Sequence, residues 1–69
     1  MTNRYWIKKV PPIVKQKANE LFPEREGFSI QYYKYKSRGN EWVFVPYVKK
    51  DGKLWDYSHQ LTLEEWRNR

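Results

Sequence analysis

Two hydrophobic periods alternate along this 69-residue chain. In residues 12–22, Val14, Ala18 and Leu21 fall on one face at helical spacing, flanked by Ile13 and Phe22. Lys15, Gln16, Asn19 and Glu20 take the other faces. Pro12 fits a first helical turn, where its missing N–H has no intrahelical partner to lose. Pro23 is expected to end the helix and residues 24–27 to form a loop.

From residue 28 the period changes to two. Phe28, Ile30 and Tyr32 point one way and Ser29, Gln31, Tyr33 and Tyr35 the other, as in a strand. Residues 37–40 read as a turn. Residues 42–48 are apolar on both sides, the pattern of a central strand covered twice. Pro46 lacks a ladder donor, so a bulge or a locally open edge is expected there. Asp51-Gly52 is a two-residue hairpin signal, because both positions need positive φ. It predicts a third strand over 53–57, with Val48 opposite Trp55 and Pro46 opposite Tyr57. Thr62 and Glu65 have capping-box spacing, and Leu61 and Trp66 match the hydrophobic staple that accompanies it. They open a helix over 62–69, short enough that it must dock Leu63 and Trp66 on the sheet to persist. Residues 1–10 form an apolar and basic lead, with at most a short strand in 5–10.

The expected class is therefore α+β: a three-stranded antiparallel β-meander over 28–57 with an N-terminal helix and a short C-terminal helix (α-β-β-β-α), all in one small domain, 1–69. Such a chain buries only about 60% of its unfolded surface. There is no cysteine and a single histidine, so neither a disulfide nor a metal staple is expected. Large side chains must substitute, and 4 Trp, 6 Tyr and 3 Phe are present. The lack of cysteine points to a reducing compartment, the cytoplasm. No apolar run approaches the roughly 18 residues of a membrane span, and residues 1–10, without a continuous apolar core, are not expected to act as a secretory signal.

Net charge is +6. Residues 1–22 hold Arg4, Lys8, Lys9, Lys15 and Lys17 against Glu20. Residues 23–40 hold Arg25, Lys34, Lys36 and Arg38 against Glu24 and Glu26. Residues 41–69 are balanced. A basic excess suits a polyanion, because counterion release drives association.

Chemistry of the catalytic kind finds little support. His59 is the one imidazole, and next to Ser58 it is not expected to form a dyad, since adjacent strand residues point to opposite faces. His59 reads as a loop or sheet-end residue. Asp56, between Trp55 and Tyr57, reads as a half-buried partner of Tyr47 or a lysine. Clustered metal ligands are missing, and Gly27, Gly39 and Gly52 are isolated turn glycines rather than a phosphate loop. No enzyme, cofactor or metal is expected.

What remains is aromatic residues interleaved with basic ones. A two-residue first hairpin loop would place Tyr33 and Tyr35 with Trp42, Phe44, Val48, Trp55 and Tyr57. An odd loop flips the parity of the first strand. Either way both sheet faces carry more apolar surface than two short helices can cover. The expected function is nucleic-acid binding, DNA or RNA, with Tyr33, Tyr35 and Trp42 or Trp55 stacking and Lys34, Lys36, Arg38, Lys49, Lys50 and Lys53 on phosphate. Binding should weaken steeply with salt, by a slope of about 0.9 per phosphate contact on duplex. The alternative is a protein binder, such as a virus-encoded or mobile-element product engaging a host protein, or a homodimer formed through a strand edge.

The order helix-strand-strand-strand-helix is similar to the double-stranded-RNA-binding domain. Leu63-Glu64-Glu65, at the start of the second helix, is acidic where that family carries a basic phosphate-gripping run. Residues 28–66 also resemble the plan of the small three-stranded DNA-reading domains of phage integrase arms. Both likenesses are of element order, without diagnostic residues.

Overall fold

A computed structural model describes residues 4–22 and 25–69. Pro23 and Glu24, expected to end the helix and open the loop, lie outside the described residues, as do the first three residues of the lead. The elements are β1 (Tyr5–Ile7), α1 (Pro12–Leu21), β2 (Phe28–Lys36), β3 (Trp42–Lys50), β4 (Lys53–Asp56), β5 (Leu61–Thr62) and α2 (Leu63–Arg67). The class is α+β with an antiparallel sheet, as expected. The strand count is not. The meander β2-β3-β4 is extended by β1, which pairs with β2, and by β5, which pairs with β3. β1 is the short strand offered in residues 5–10, whereas β5, at two residues, is too short to show a period.

α1 opens with Pro12 in its first turn, and the Val14 and Lys15 N–H groups donate to the Pro11 carbonyl. Val14 and Ala18 are sealed against Tyr32 and Trp66, with Ile7, Ile13, Leu21 and Leu61 packed around them. α2 is held by the expected capping box. The Glu65 N–H donates to Thr62 Oγ1 at 3.3 Å, and the Thr62 N–H donates to Glu65 Oε1 at 2.9 Å. Trp66 is fully buried, and its indole N–H donates to the Phe44 carbonyl at 3.1 Å, so the ring enters the core with its polar edge satisfied. Both helices lie on one side of the sheet.

Turn chemistry sets the register. Lys36 stands opposite Trp42, leaving residues 37–41 as the loop, with Asn40 in the left-handed region at φ 59°. This odd loop selects the flipped parity. Tyr33 and Tyr35 share a face with Val43, Val45 and Tyr47, while Ile30, Tyr32, Lys34 and Lys36 share one with Trp42, Phe44 and Val48. At the second hairpin Asp51 and Gly52 have φ 51° and 80°, the pair of positive values a primed two-residue turn requires.

Beyond that turn the expected register fails by one residue. Lys49 pairs with Leu54, but a bulge follows, and Val48 pairs with Asp56 rather than Trp55. β4 then leaves the sheet, and the chain returns to it only where Leu61 meets Phe44. Pro46 lies in the gap between. The proline with no N–H to give sits where β3 has no ladder on that side, which is the open edge its chemistry predicts.

Candidate nucleic-acid interface

The face opposite the helices carries Trp6 from β1, Tyr33 and Tyr35 from β2, and Val43, Val45 and Tyr47 from β3. No described element packs on it, yet Tyr33, Val43 and Val45 are buried. Their cover is aromatic. Trp6 meets the rings of Tyr33 and Tyr47 edge to face, each at 5.4 Å between centroids. Tyr35 stacks beside Tyr33 at 6.4 Å, and Tyr57 lies 6.0 Å from Tyr47. Edge-to-face packing is favoured by the ring quadrupoles. It also closes the face with rings whose outer surfaces still meet water: Trp6 is 56% exposed and Tyr57 40%.

Tyr57 reaches this face because of the bulge. In the uninterrupted register it would stand opposite Pro46, on the helix side. One extra residue reverses its direction, as a one-residue slip must. The segment 57–60 then spans the gap at Pro46. It places Gln60 under the Tyr35 hydroxyl, which donates to Gln60 Oε1 at 2.7 Å, and His59 on the other side against the Phe22 and Trp66 rings.

The charge of the face is one-signed. Arg4 lies over the Tyr33 ring at 4.9 Å and Lys49 over Tyr47 at 5.8 Å. The other positions facing this way in β1, β2 and β3 are Trp6, Ser29, Gln31, Tyr33, Tyr35, Val43, Val45 and Tyr47, with no carboxylate among them. Burial raises the pKa of the Tyr33 hydroxyl; Arg4 opposes that shift and the neighbouring tyrosines add to it. Tyr33 therefore stays neutral, a hydroxyl at the centre of a cationic face.

The residues expected from the sequence to form one surface occupy three places. Tyr33, Tyr35 and Lys49 belong to the helix-free face, with Tyr33 buried (1% exposed) beneath its neighbours instead of offering a free ring. Lys34, Lys36 and Trp42 gather on the helix side at the first-hairpin end. There the two ammonium groups lie 4.5 and 4.7 Å from the Trp42 ring, and Tyr5 meets its edge. Arg38 is exposed in the adjoining turn. Lys50, Lys53 and Trp55 gather at the other hairpin, Lys50 between the Trp55 and Phe28 rings at 5.1 and 5.5 Å. Trp6, Tyr47 and Arg4 are not among the expected contact residues, and Tyr57 shares the face of Tyr33 in the sequence reading only through a two-residue first hairpin loop, which the structure does not have. Trp6 and Arg4 owe their place to the register of β1, which the short strand offered in 5–10 does not fix, and Tyr57 to the bulge, which leaves no sequence signal. Tyr47 follows from loop parity alone.

Two smaller expectations also change. Ser58 Oγ and His59 Nδ1 are 3.4 Å apart, because 57–60 is a loop and strand alternation does not apply to it. Asp56 is not paired with Tyr47 or a lysine. It accepts the Ser58 N–H at 2.8 Å and its pKa is lowered, chiefly by that bond and then by the Ser58 side chain. Among the described residues no helix is long and apolar enough to cross a membrane. Comparison with protein-family models, with curated proteins and with solved structures finds no match for this chain.

Proposed function

We propose that this protein binds nucleic acid without chemistry, through the helix-free face of its sheet. One observation carries the reading: exposed Trp6 and Tyr57 rings on a sheet face, with cations 4.9 and 5.8 Å from the buried Tyr33 and half-buried Tyr47 rings beside them and no carboxylate on the strand positions of β1–β3 that share the face. Flat π surfaces stack bases regardless of sequence, at about 1–3 kcal/mol per base, and neighbouring cations take the phosphates. The lysine-bearing tryptophans Trp42 and Trp55, at the two ends of the opposite side, extend the positive field that draws a polyanion in. The cytoplasm is the proposed site of action, since the chain has no cysteine.

Retention on immobilised nucleic acid at low salt, and release as salt rises, is the expected result. Failure to be retained, or affinity that ignores salt, removes the proposal.

A second reading rests on a different feature. β1 is an edge strand with no partner on its outer side among the described residues, and it bears exposed Tyr5 and Trp6. Such an edge can add to the sheet of a host protein, as a viral or mobile-element product would, or of a second copy. A partner that survives nuclease treatment in a pull-down favours this reading over the first.

A further inference from the structure

Resting on the nucleic-acid reading, we infer that the aromatic face takes a single strand with unpaired bases and does not take duplex. Three features of the face point there. Its rings follow one another across the strands, Tyr57 to Tyr47 at 6.0 Å and Tyr47 to Trp6 at 5.4 Å. Nucleotides in a duplex strand rise about 3.4 Å each. Tyr57 and Tyr47 are tilted by 35° and Tyr47 and Trp6 by 84°, so the rings form no parallel ladder at that rise, and bases on Trp6 and Tyr57, the exposed rings of the path, are splayed instead of stacked on one another. In a duplex, base planes are hidden between neighbours and have no face to offer an indole.

Shape agrees. Duplex readers push a helix or a two-stranded ribbon into a groove. Both helices of this protein stand on the opposite side of the sheet, and the first turn of α2 carries Glu64 and Glu65, which repel phosphate. The aromatic face is made of strand positions, with Arg4 before β1 and the loop residue Tyr57 beside them, and no helix stands on it.

Charge is the third feature. Arg4 lies at the Trp6–Tyr33 end of the ring path and Lys49 beside Tyr47. Two cations suit the backbone of a segment of two or three nucleotides, the number of bases a small sheet platform usually stacks. They are few for the two phosphate rows of a duplex. With two phosphates neutralised on a single strand, the logarithm of affinity should fall against the logarithm of salt with a slope of about −1.4.

The test is fluorescence anisotropy at low salt with labelled oligothymidylate and oligouridylate of about ten nucleotides, within the usual footprint of such surfaces. The same oligothymidylate annealed to oligoadenylate is the duplex arm. Single strands are expected to bind at least tenfold tighter than duplex, with the shallow slope given above. Trp6→Ala should weaken single-strand binding about tenfold and Trp6→Phe should restore most of it, because a phenyl ring still stacks. Near-ultraviolet circular dichroism checks that each variant keeps its tertiary packing, and Tyr57→Ala repeats the test at the far end of the ring path should Trp6→Ala fail to fold. Duplex binding as tight as single-strand binding, with a slope of several units, overturns the single-strand assignment and leaves the nucleic-acid reading standing. Equal single-strand affinity for the native chain and a folded Trp6→Ala or Tyr57→Ala variant also overturns the assignment. Binding to neither form overturns both.

Discussion

On the helix side of the sheet, Trp66 sits in a socket made by Val14, Ala18 and Tyr32, with no exposed surface and its one polar atom bonded to Phe44. On the other side, Trp6 lies on Tyr33 and Tyr47 with more than half its surface in water. Both are indoles packed on the same few strands. One is covered by secondary structure; the other is itself the cover. A face closed by helices has spent its rings on stability, whereas a face closed by its own rings keeps their outer surfaces available to a ligand. The comparison separates what holds this fold from what the fold presents, and each of the following variants acts on one side of it.

Trp66→Ala should have the largest effect. A buried Trp replaced by Ala costs about 3–5 kcal/mol, and small domains have only about 5–15 in total. Urea unfolding should show a transition moved most of the way to zero denaturant, or a chain that does not fold. Trp6→Ala is expected to cost less, about 1–2 kcal/mol for two edge-to-face pairs and a partly buried ring. Its main effect belongs to binding. If Trp6→Ala destabilises as much as Trp66→Ala, the helix-free face is a second core and the distinction between the sides disappears.

Thr62→Ala should cost about 1 kcal/mol by removing one half of the capping box. It loosens α2 and therefore Trp66, and should leave affinity per folded molecule unchanged. The smallest effect is expected at Asp56. Its pKa lies below the ordinary 3.8 because the carboxylate accepts from Ser58. A lowered carboxyl pKa adds stability that is fully present above the unfolded value and is lost as pH falls through the folded one. Denaturation measured at pH 7 and near pH 3 should therefore show a smaller acid loss for Asp56→Asn than for the native chain. Because Asp56 ties down the segment leading to Tyr57, the same variant sharpens how far the bulge depends on that bond.

The helix side of this comparison was legible in the sequence, and much of the other was not. Val14, Ala18 and Leu21 declare their face by period, Thr62, Leu61, Glu65 and Trp66 by spacing, and Asp51-Gly52 by its φ requirement; all are local rules satisfied within a few residues. The helix-free face depends on three non-local facts. Which residues share it with Tyr33 turns on whether the loop at 37–41 is odd, and Ser37, Arg38, Gly39 and Asn40 do not fix its length. Tyr57 arrives through a bulge whose position no residue type announces, although Pro46 marks the stretch of β3 where pairing must lapse. Trp6 arrives on a strand of three residues, whose register against Tyr33 exists only once β2 is in place. Composition shows too many rings for two helices to cover, and four tryptophans of one chemistry give no sign of which is buried.

The most direct measurement is the ¹H–¹⁵N spectrum of the four indole N–H groups during titration with a single-stranded oligonucleotide. Each reports one region: Trp6 the helix-free face, Trp42 and Trp55 the two ends of the helix side, Trp66 the core. The predicted result is a saturable shift largest at Trp6, accompanied by the backbone amides of Tyr47 and Lys49, with Trp66 unmoved. Shifts confined to Trp42 or Trp55 while Trp6 stays fixed, or no shift at any of the four, would contradict it.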